Sequence, residues 1–259
     1  MRGPLQTAAA TIIMNLNENF IEDHDMADEQ RNELSRRSMI QGTAAAAGLV
    51  MAGLGERPVQ GSQAPAQRTV LASLKNADFY DAQKKFLTDK AKGAYFALME
   101  RFQYPVVDKL KKEMWVLDFA LDDFIHVGMG GIFWLNRREY GYFGHEIFLL
   151  PGQMIAEHAH LATKLGPAKM ESWHVRHGMI YTFGEGEPTK DLPVKLSENQ
   201  ADSITCKHCE PLYPGEVRDL NRLTAKHFMI AGPEGAIVTE YATFHDMDGL
   251  RFSNPKVKL

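Results

Sequence analysis

From about Asn76 to Phe102 the apolar positions Phe79, Phe86, Tyr95, Phe96, Leu98, Met99 and Phe102 recur at near-helical spacing among lysines and glutamates. That period predicts an amphipathic helix. Pro105 suits the first turn of a second, shorter helix ending near Lys112. From Trp115 onward the pattern changes to short apolar or alternating runs, WVLDFAL, GIFWL, HEIFLL, MIYTFG and GAIVTEYATF, punctuated by Gly, Pro and Asp. Short strands at regular spacing predict a barrel or sandwich. No internal repeat or low-complexity linker follows Gln67. The economical division is a signal region over 1–66, a helical arm over 67–113 and one β domain over 114–259.

The signal region is read from the run SRRSMIQGTAAAAGLVMAGLG, which begins at Ser35. Arg36 and Arg37 precede an apolar stretch from Thr43 to Leu54 built largely from Ala and Gly. It is shorter than the roughly 20 apolar residues that span a bilayer, so no stable membrane anchor is expected. Paired arginines before such a run match a bacterial twin-arginine signal, and Ala64-Pro65-Ala66 offers a small-x-small cleavage site before Gln67. The expected partner is the twin-arginine export machinery and the expected location periplasmic or otherwise exported. A basic helix start followed by an alanine-rich helix is the alternative.

Composition narrows the partner. Of 259 residues 44% are hydrophobic, ample for a packed core, and the formal net charge is -4 without a basic stripe. Nothing argues for a nucleic acid or an anionic membrane, and a small-molecule ligand is favoured. The only two cysteines, Cys206 and Cys209 in CKHC, are too few for a disulfide scaffold. A zinc knuckle would need a second ligand pair, and none sits nearby, so both are read as strand residues.

The stretch PGQMIAEHAH, Pro151 to His160, carries the first candidate chemistry. In an extended strand alternate side chains share a face, so His158 and His160 point together with Ala159 behind them. Two imidazoles on one face can grip one metal, although an isolated pair also occurs at an ordinary surface strand end. Glu157 falls on the opposite face, outside such a ligand set. Downstream lies Glu171 in KMESWHVRHG, and glycines at 152 and 178 bracket the two strands. One sheet face then presents two imidazoles and a carboxylate, a set suited to a divalent first-row ion.

The pattern from Gly152 through His158, His160 and Glu171 to Gly178 resembles the first motif of the cupin superfamily, small antiparallel barrels in which two histidines and a glutamate bind a metal. The stretch YPGEVRDLNRLTAKHF is similar to the second cupin motif, with Gly215 at the turn and His227 at the ligand position. It departs from that motif at Asn221 and Leu223, in the later place of the histidine and in lacking the terminal asparagine; His208 and His245 are substitutes. Within the cupins the chain resembles bacterial D-lyxose isomerases over roughly Glu146 to Pro255, through EIFLLPGQMIAEHAH, KMESWHVRHGMIYTFGEGEPT and KHFMIAGPEGAIVTEYATFHDMDGLRFSNP. The resemblance implies a mainly β, cupin-type antiparallel barrel (a double-stranded β-helix or jelly roll) with an α-helical N-terminal arm. It also implies metal ligands at His158, His160, Glu171 and His227, manganese as the metal with zinc, iron or cobalt as alternatives, and a homodimer. The implied activity is an aldose-ketose isomerase acting on a free sugar such as D-lyxose/D-xylulose or D-mannose/D-fructose.

That chemistry moves a hydrogen between C1 and C2 through an enediolate. Four protein ligands on an octahedral ion leave two adjacent positions, which matches the need to chelate two sugar oxygens. Glu240 in VTEYATF is the expected base, because an alternating strand leaving the His227 region points it into the barrel mouth and the family's matching glutamate is implicated in catalysis. Partial desolvation is expected to raise its pKa. Lys169, two residues before Glu171, is expected on the same face, near the sugar oxygens. Asp248 and Arg251 are expected to bind sugar hydroxyls, and Trp134, Trp173, Tyr140 and Tyr142 are candidates to stack on a sugar ring. Two other readings use the same barrel: a metal oxygenase, which has no use for Glu240 or Lys169, and a non-catalytic periplasmic sugar or metal binder.

Overall fold

In the computed structural model the described residues are Leu71 and residues 73–259. The paired arginines, the alanine-rich run and the APA tripeptide, and with them the signal region 1–66, lie outside the described residues. The helix expected over Asn76–Phe102 forms only in its second half, as α1, Thr88–Arg101. Before it come a 3-10 turn, Asn76–Phe79, and a tight turn closed by a bridge between Tyr80 and Phe86. Asp81 explains the break. Its carboxylate accepts the backbone N–H groups of Gln83 and Lys85, each at 2.9 Å, and Lys84 adopts a φ of 60°. A side chain that satisfies nearby N–H groups offers the backbone an alternative to helix. The second helix, α2, covers Asp108–Glu113 and starts three residues after Pro105, since Val107 is still extended. Among the described residues no helix is long and apolar enough to cross a membrane.

The strands are β1 (Trp115–Leu117), β2 (Met129–Arg137), β3 (Tyr142–Leu149), β4 (His158–His160), β5 (Glu171–Gly184), β6 (His208–Leu212), β7 (Val217–Asp219), β8 (His227–Thr243) and β9 (Leu250–Phe252). A one-turn helix, α3 (Glu198–Ala201), lies between β5 and β6. All the strand pairings are antiparallel, in the order β1-β2-β3-β8-β4-β9, with β5 joining β6, β7 and β8. The architecture is the mainly β, curled antiparallel barrel that the resemblance implies, one of the two forms left open by the strand spacing. β8 organises it: β5 runs along one side of β8, while β3 and then β4 occupy the other.

Gly178, expected to punctuate the end of a strand, lies inside β5, where the pairing with β8 shifts register. Its φ is +70°, and a Cβ there would sit 1.9 Å from the Gly235 carbonyl oxygen, so the two strands approach too closely for any side chain.

Register assigns the faces. Phe143, His145 and Ile147 on β3 stand opposite Ala242, Glu240 and Val238 on β8, which in turn face Glu171, Trp173 and Val175 on β5. Directly paired residues share a face, and this set points into the barrel, where it joins the larger apolar core with Leu149, Ile180, Phe183 and Met229. The alternate residues Phe148 and Ile237, with Ile132 of β2, point outward and meet Tyr95, Leu98 and Met99 of α1 and Leu110 of α2 in a second apolar layer. The arm is therefore a cover for the outer face of the sheet. Tyr95, fully buried, spends its hydroxyl on Gln153 Oε1 at 2.6 Å, so its burial leaves no polar atom unmet.

Candidate active site

Three strand starts converge inside the barrel. β4 begins at His158, β5 at Glu171 and β8 at His227, and His158 pairs directly with His227 across the β4–β8 ladder. The ligand atoms of His158, His160, Glu171 and His227 all lie within 4.8 Å of one another. His158 and His160 share a face as expected, with Ala159 turned away. The Nδ1 atoms of His158 and His227 are tied to the carbonyls of Ala156 and Ala225 at 2.9 and 3.0 Å. These bonds leave each Nε2 as the free donor atom, the arrangement that orients a metal-ligating imidazole.

The site fits a divalent cation on its own terms. His160 Nε2, His227 Nε2 and Glu171 Oε1 are buried without a hydrogen-bond partner, although His227 Nε2 and Glu171 Oε1 stand only 2.5 Å apart. Buried ligand-type atoms converging this closely are what a bound ion would satisfy. Burial, reinforced by the neighbouring His227, lowers the pKa of His158 to about 4, and burial holds His160 well below the ordinary histidine value. Both are thus neutral and ready to coordinate at neutral pH. Burial also disfavours charge on His227, but the Glu171 carboxylate outweighs it and raises its pKa. For Glu171 the balance runs the other way: burial opposes ionisation, and Lys169 with His227 overcomes it.

A second group adjoins the first. Lys169 Nζ lies 2.6 Å from Glu171 Oε2 and also hydrogen-bonds Glu240 Oε1, and both Lys169 and Glu240 are 5% exposed. Lys169 is not on a strand; it precedes β5, and the expected proximity to Glu171 is met from a loop. The sequence-based expectation of a raised pKa for Glu240 is corrected: burial does push it up, but the Lys169 ammonium overrides burial and the carboxyl is held below its ordinary value. Lys169 itself stays charged, since its two carboxylate partners outweigh the penalty of burial. The other oxygen of Glu240 faces His145 Nδ1 at 3.2 Å. His145 was missed from the sequence because HEIFLL places His145 and Glu146 on opposite faces of a strand buried on both. Alternation with Ile147 and Leu149 was the signal that could have found it.

Other candidates lie elsewhere. Arg251 pairs with Ala159, so it shares the face turned away from the histidines; it is exposed and donates to the carbonyls of Asp248 and Leu250, each at 2.7 Å. Asp248 is exposed in a 3-10 turn, Met247–Gly249. The structure does not bring these two together with the ligand cluster. Glu157 faces away as expected and is 1% exposed; it accepts bonds from Thr205, Cys206 and Ser253, tying two loops to β4. Cys206 and Cys209 are free, buried thiols, their pKa values pushed up by burial to about 12 and about 11, with Cys209 on β6 and Cys206 in the loop before it. His208 bonds the Glu187 carbonyl, while His245 is buried with its ring 5.8 Å from that of His160.

Of the aromatics, Trp134 points to the arm side, near Glu146, and Tyr140 and Tyr142 stack on each other in solvent. Trp173 alone of these four reaches the site, 5.2 Å from the His227 ring. It and His227 line a cleft of about 330 Å³ together with Thr182, Gly184, Glu210 and Arg218.

No family model matches the chain. It is 28% identical over 175 residues to the D-lyxose/D-mannose isomerase of Thermosediminibacter oceani, covering 68% of this chain and 95% of that protein. It is 32% identical over 143 residues to the D-lyxose ketol-isomerase of Cohnella laeviribosi, covering 55% of this chain and 77% of that protein. Among solved structures, the L-ribose isomerase of Acinetobacter sp. DL28 superposes with a TM-score of 0.54 at 16% identity, over 65% of this chain and 92% of that one, a likeness of fold.

Proposed function

The chain belongs to the D-lyxose ketol-isomerase family of sugar isomerases, and on that premise we propose that it is a metal-dependent aldose-ketose isomerase. Its free-sugar substrate is D-lyxose/D-xylulose or D-mannose/D-fructose, the relatives' names supporting D-lyxose and D-mannose. The observation that carries the reading is the adjacency of two groups in one dry barrel: four convergent ligands, and a lysine-paired carboxylate that touches one of them through Lys169. A metal-binding module alone has no need of the second group.

His158, His160, Glu171 and His227 would hold the ion, with manganese as our choice. When bound, it supplies Lewis acidity that polarises the sugar carbonyl. The remaining work falls to the chain. Glu240 is ionised, so it can accept the proton beside the carbonyl and return it to the neighbouring carbon. Lys169 places a fixed positive charge where negative charge grows on the sugar oxygens, at no cost in reorganisation. Burial excludes water from the proton in transit.

The test is to load the protein with manganese, incubate it with a panel of aldoses and ketoses in heavy water, and follow interconversion and deuterium at C1 and C2. The expected outcome is isomerisation with deuterium incorporated. Glu240→Gln should lower kcat by about 10²–10⁴-fold, the usual worth of a positioned base, while metal content stays unchanged. Metal bound through all four ligands with no sugar turned over would leave the barrel and discard the chemistry.

A further inference from the structure

Glu240 is held at both oxygens, and by contacts of different kinds. Lys169, on Oε1, also reaches Glu171 and therefore belongs to the metal side of the barrel. His145, on Oε2, comes from β3, where it is Glu240's direct cross-strand partner. Its ring stacks on Trp115 with centroids 5.3 Å apart and 29° between planes, and meets Phe133 edge-on at 5.0 Å. Three aromatic residues, counting Phe143 at 5.6 Å, fix the plane of that imidazole. An ionised carboxylate only accepts hydrogen bonds, so the bond places a proton on Nδ1. The other ring nitrogen, Nε2, is buried without a partner. A Cβ on Gly131 would lie 2.4 Å from it and 2.6 Å from the Trp115 ring, so the missing side chain at 131 is the space the imidazole edge occupies. Glycine at that point of β2 is needed for His145 to reach Glu240.

We propose that His145 is a positioning residue that pins Oε2 of Glu240 to the β2–β3 wall, so that Oε1, shared with Lys169, is the oxygen presented to the substrate. The inference rests on the reading of Glu240 as the base. Without the pin the carboxylate can rotate, and the reacting oxygen is no longer held at one point above the metal ligands. Sugar binding does not depend on this bond, so the loss should fall on kcat and spare KM.

The experiment uses the full chain, manganese-loaded for kinetics and metal-free for spectroscopy. His145→Phe keeps the ring among its aromatic neighbours and removes the donor; His145→Asn restores an N–H near the Nδ1 position. The expected result is kcat lowered about 10–100-fold in the first, the usual effect of losing a group behind a working side chain. KM should stay within about twofold, metal content should be unchanged, and the asparagine should recover much of the rate. Gly131→Ala, which deletes no functional group, should lower kcat in the same way by displacing the imidazole. A His145→Phe enzyme with the parent kcat, or an asparagine variant as slow as the phenylalanine one, would overturn the proposal.

Imidazole ¹⁵N–¹H spectra of the metal-free parent give a readout that needs no turnover. A proton on Nδ1 of His145 whose signal shifts on Glu240→Gln supports the bond, and an Nδ1 that carries no proton, or a signal indifferent to that substitution, sinks it. If the parent isomerises no sugar at all, the isomerase reading fails by itself while the spectrum still decides the contact.

Discussion

Charging a buried imidazole in the metal-free protein means adding a cation to an interior that already holds the Lys169 ammonium. His158, His160 and His245 all resist it, His158 down to about pH 4 and His245 to about 3, burial being the leading cause in each. In the unfolded chain the same groups take up protons near the ordinary value of 6.5. Between the two values the unfolded state binds more protons, so stability rises with pH and is lost as pH falls through 6.5 toward 4. The depressed carboxyls of Glu157, Glu171 and Glu240 act in the same direction at lower pH. His227 opposes them: its raised pKa contributes stability that is full below 6.5 and fades as pH climbs through its folded value. Three histidines outnumber one. The thermal midpoint of metal-free protein, followed by calorimetry, should fall steadily from pH 7 to pH 4; a midpoint that rises over that window would show that the interior is wetter than its burial implies.

At the scale of the element, the meeting of β5 with β8 is the most exacting feature. Both strands are long, 14 and 17 residues, and both bend where Gly178 and Gly235 take positive φ. The bends carry Glu171 at one end of β5 toward His227 at the opposite end of its pairing partner. Gly178→Ala would force a left-handed alanine, at about 1–2 kcal/mol, and overpack it against the Gly235 carbonyl, at about 1–3 kcal/mol. A destabilisation of about 2–5 kcal/mol by denaturant titration is therefore expected. A variant as stable as the parent would mean that the two strands can part without cost, and that the ligand geometry does not depend on their contact.

For the whole molecule, the two apolar layers have separate duties. The inner one packs the barrel around the site, and the outer one binds the arm to the sheet face directed away from it. Leu98 sits fully buried in the outer layer, near Gly235, where a Cβ would come within 2.8 Å of its Cδ1. Leu98→Ala should cost about 2–5 kcal/mol of stability, as buried leucines do. Below the melting range KM and metal content should be unchanged, because neither the four candidate ligands nor Lys169 and Glu240 lie on that face. A raised KM at full metal occupancy would show that the arm shapes the site after all.

The two-residue period was enough to determine the shared face of His158 and His160 and the exclusion of Glu157, because each depends on local geometry alone. Strand spacing left a barrel or a sandwich open, and the barrel followed from the resemblance. The place of His227 beside His158, His160 and Glu171, expected from a motif with several departures, follows from the β4–β8 register, which sets it opposite His158. The helix period failed over Asn76–Tyr80, where the Asp81 side chain bonds its own backbone and the tight turn replaces a helical one. Whether Glu240 would be neutral or ionised, whether Arg251 would face in or out, and whether His145 or Glu146 would enter the barrel were not local questions. Each was decided by a tertiary contact: Lys169 and His145 beside Glu240, Ala159 opposite Arg251, and Gly131 leaving room for an imidazole. Charge and facing depend on neighbours distant in sequence, and only the closed barrel brings those neighbours into contact.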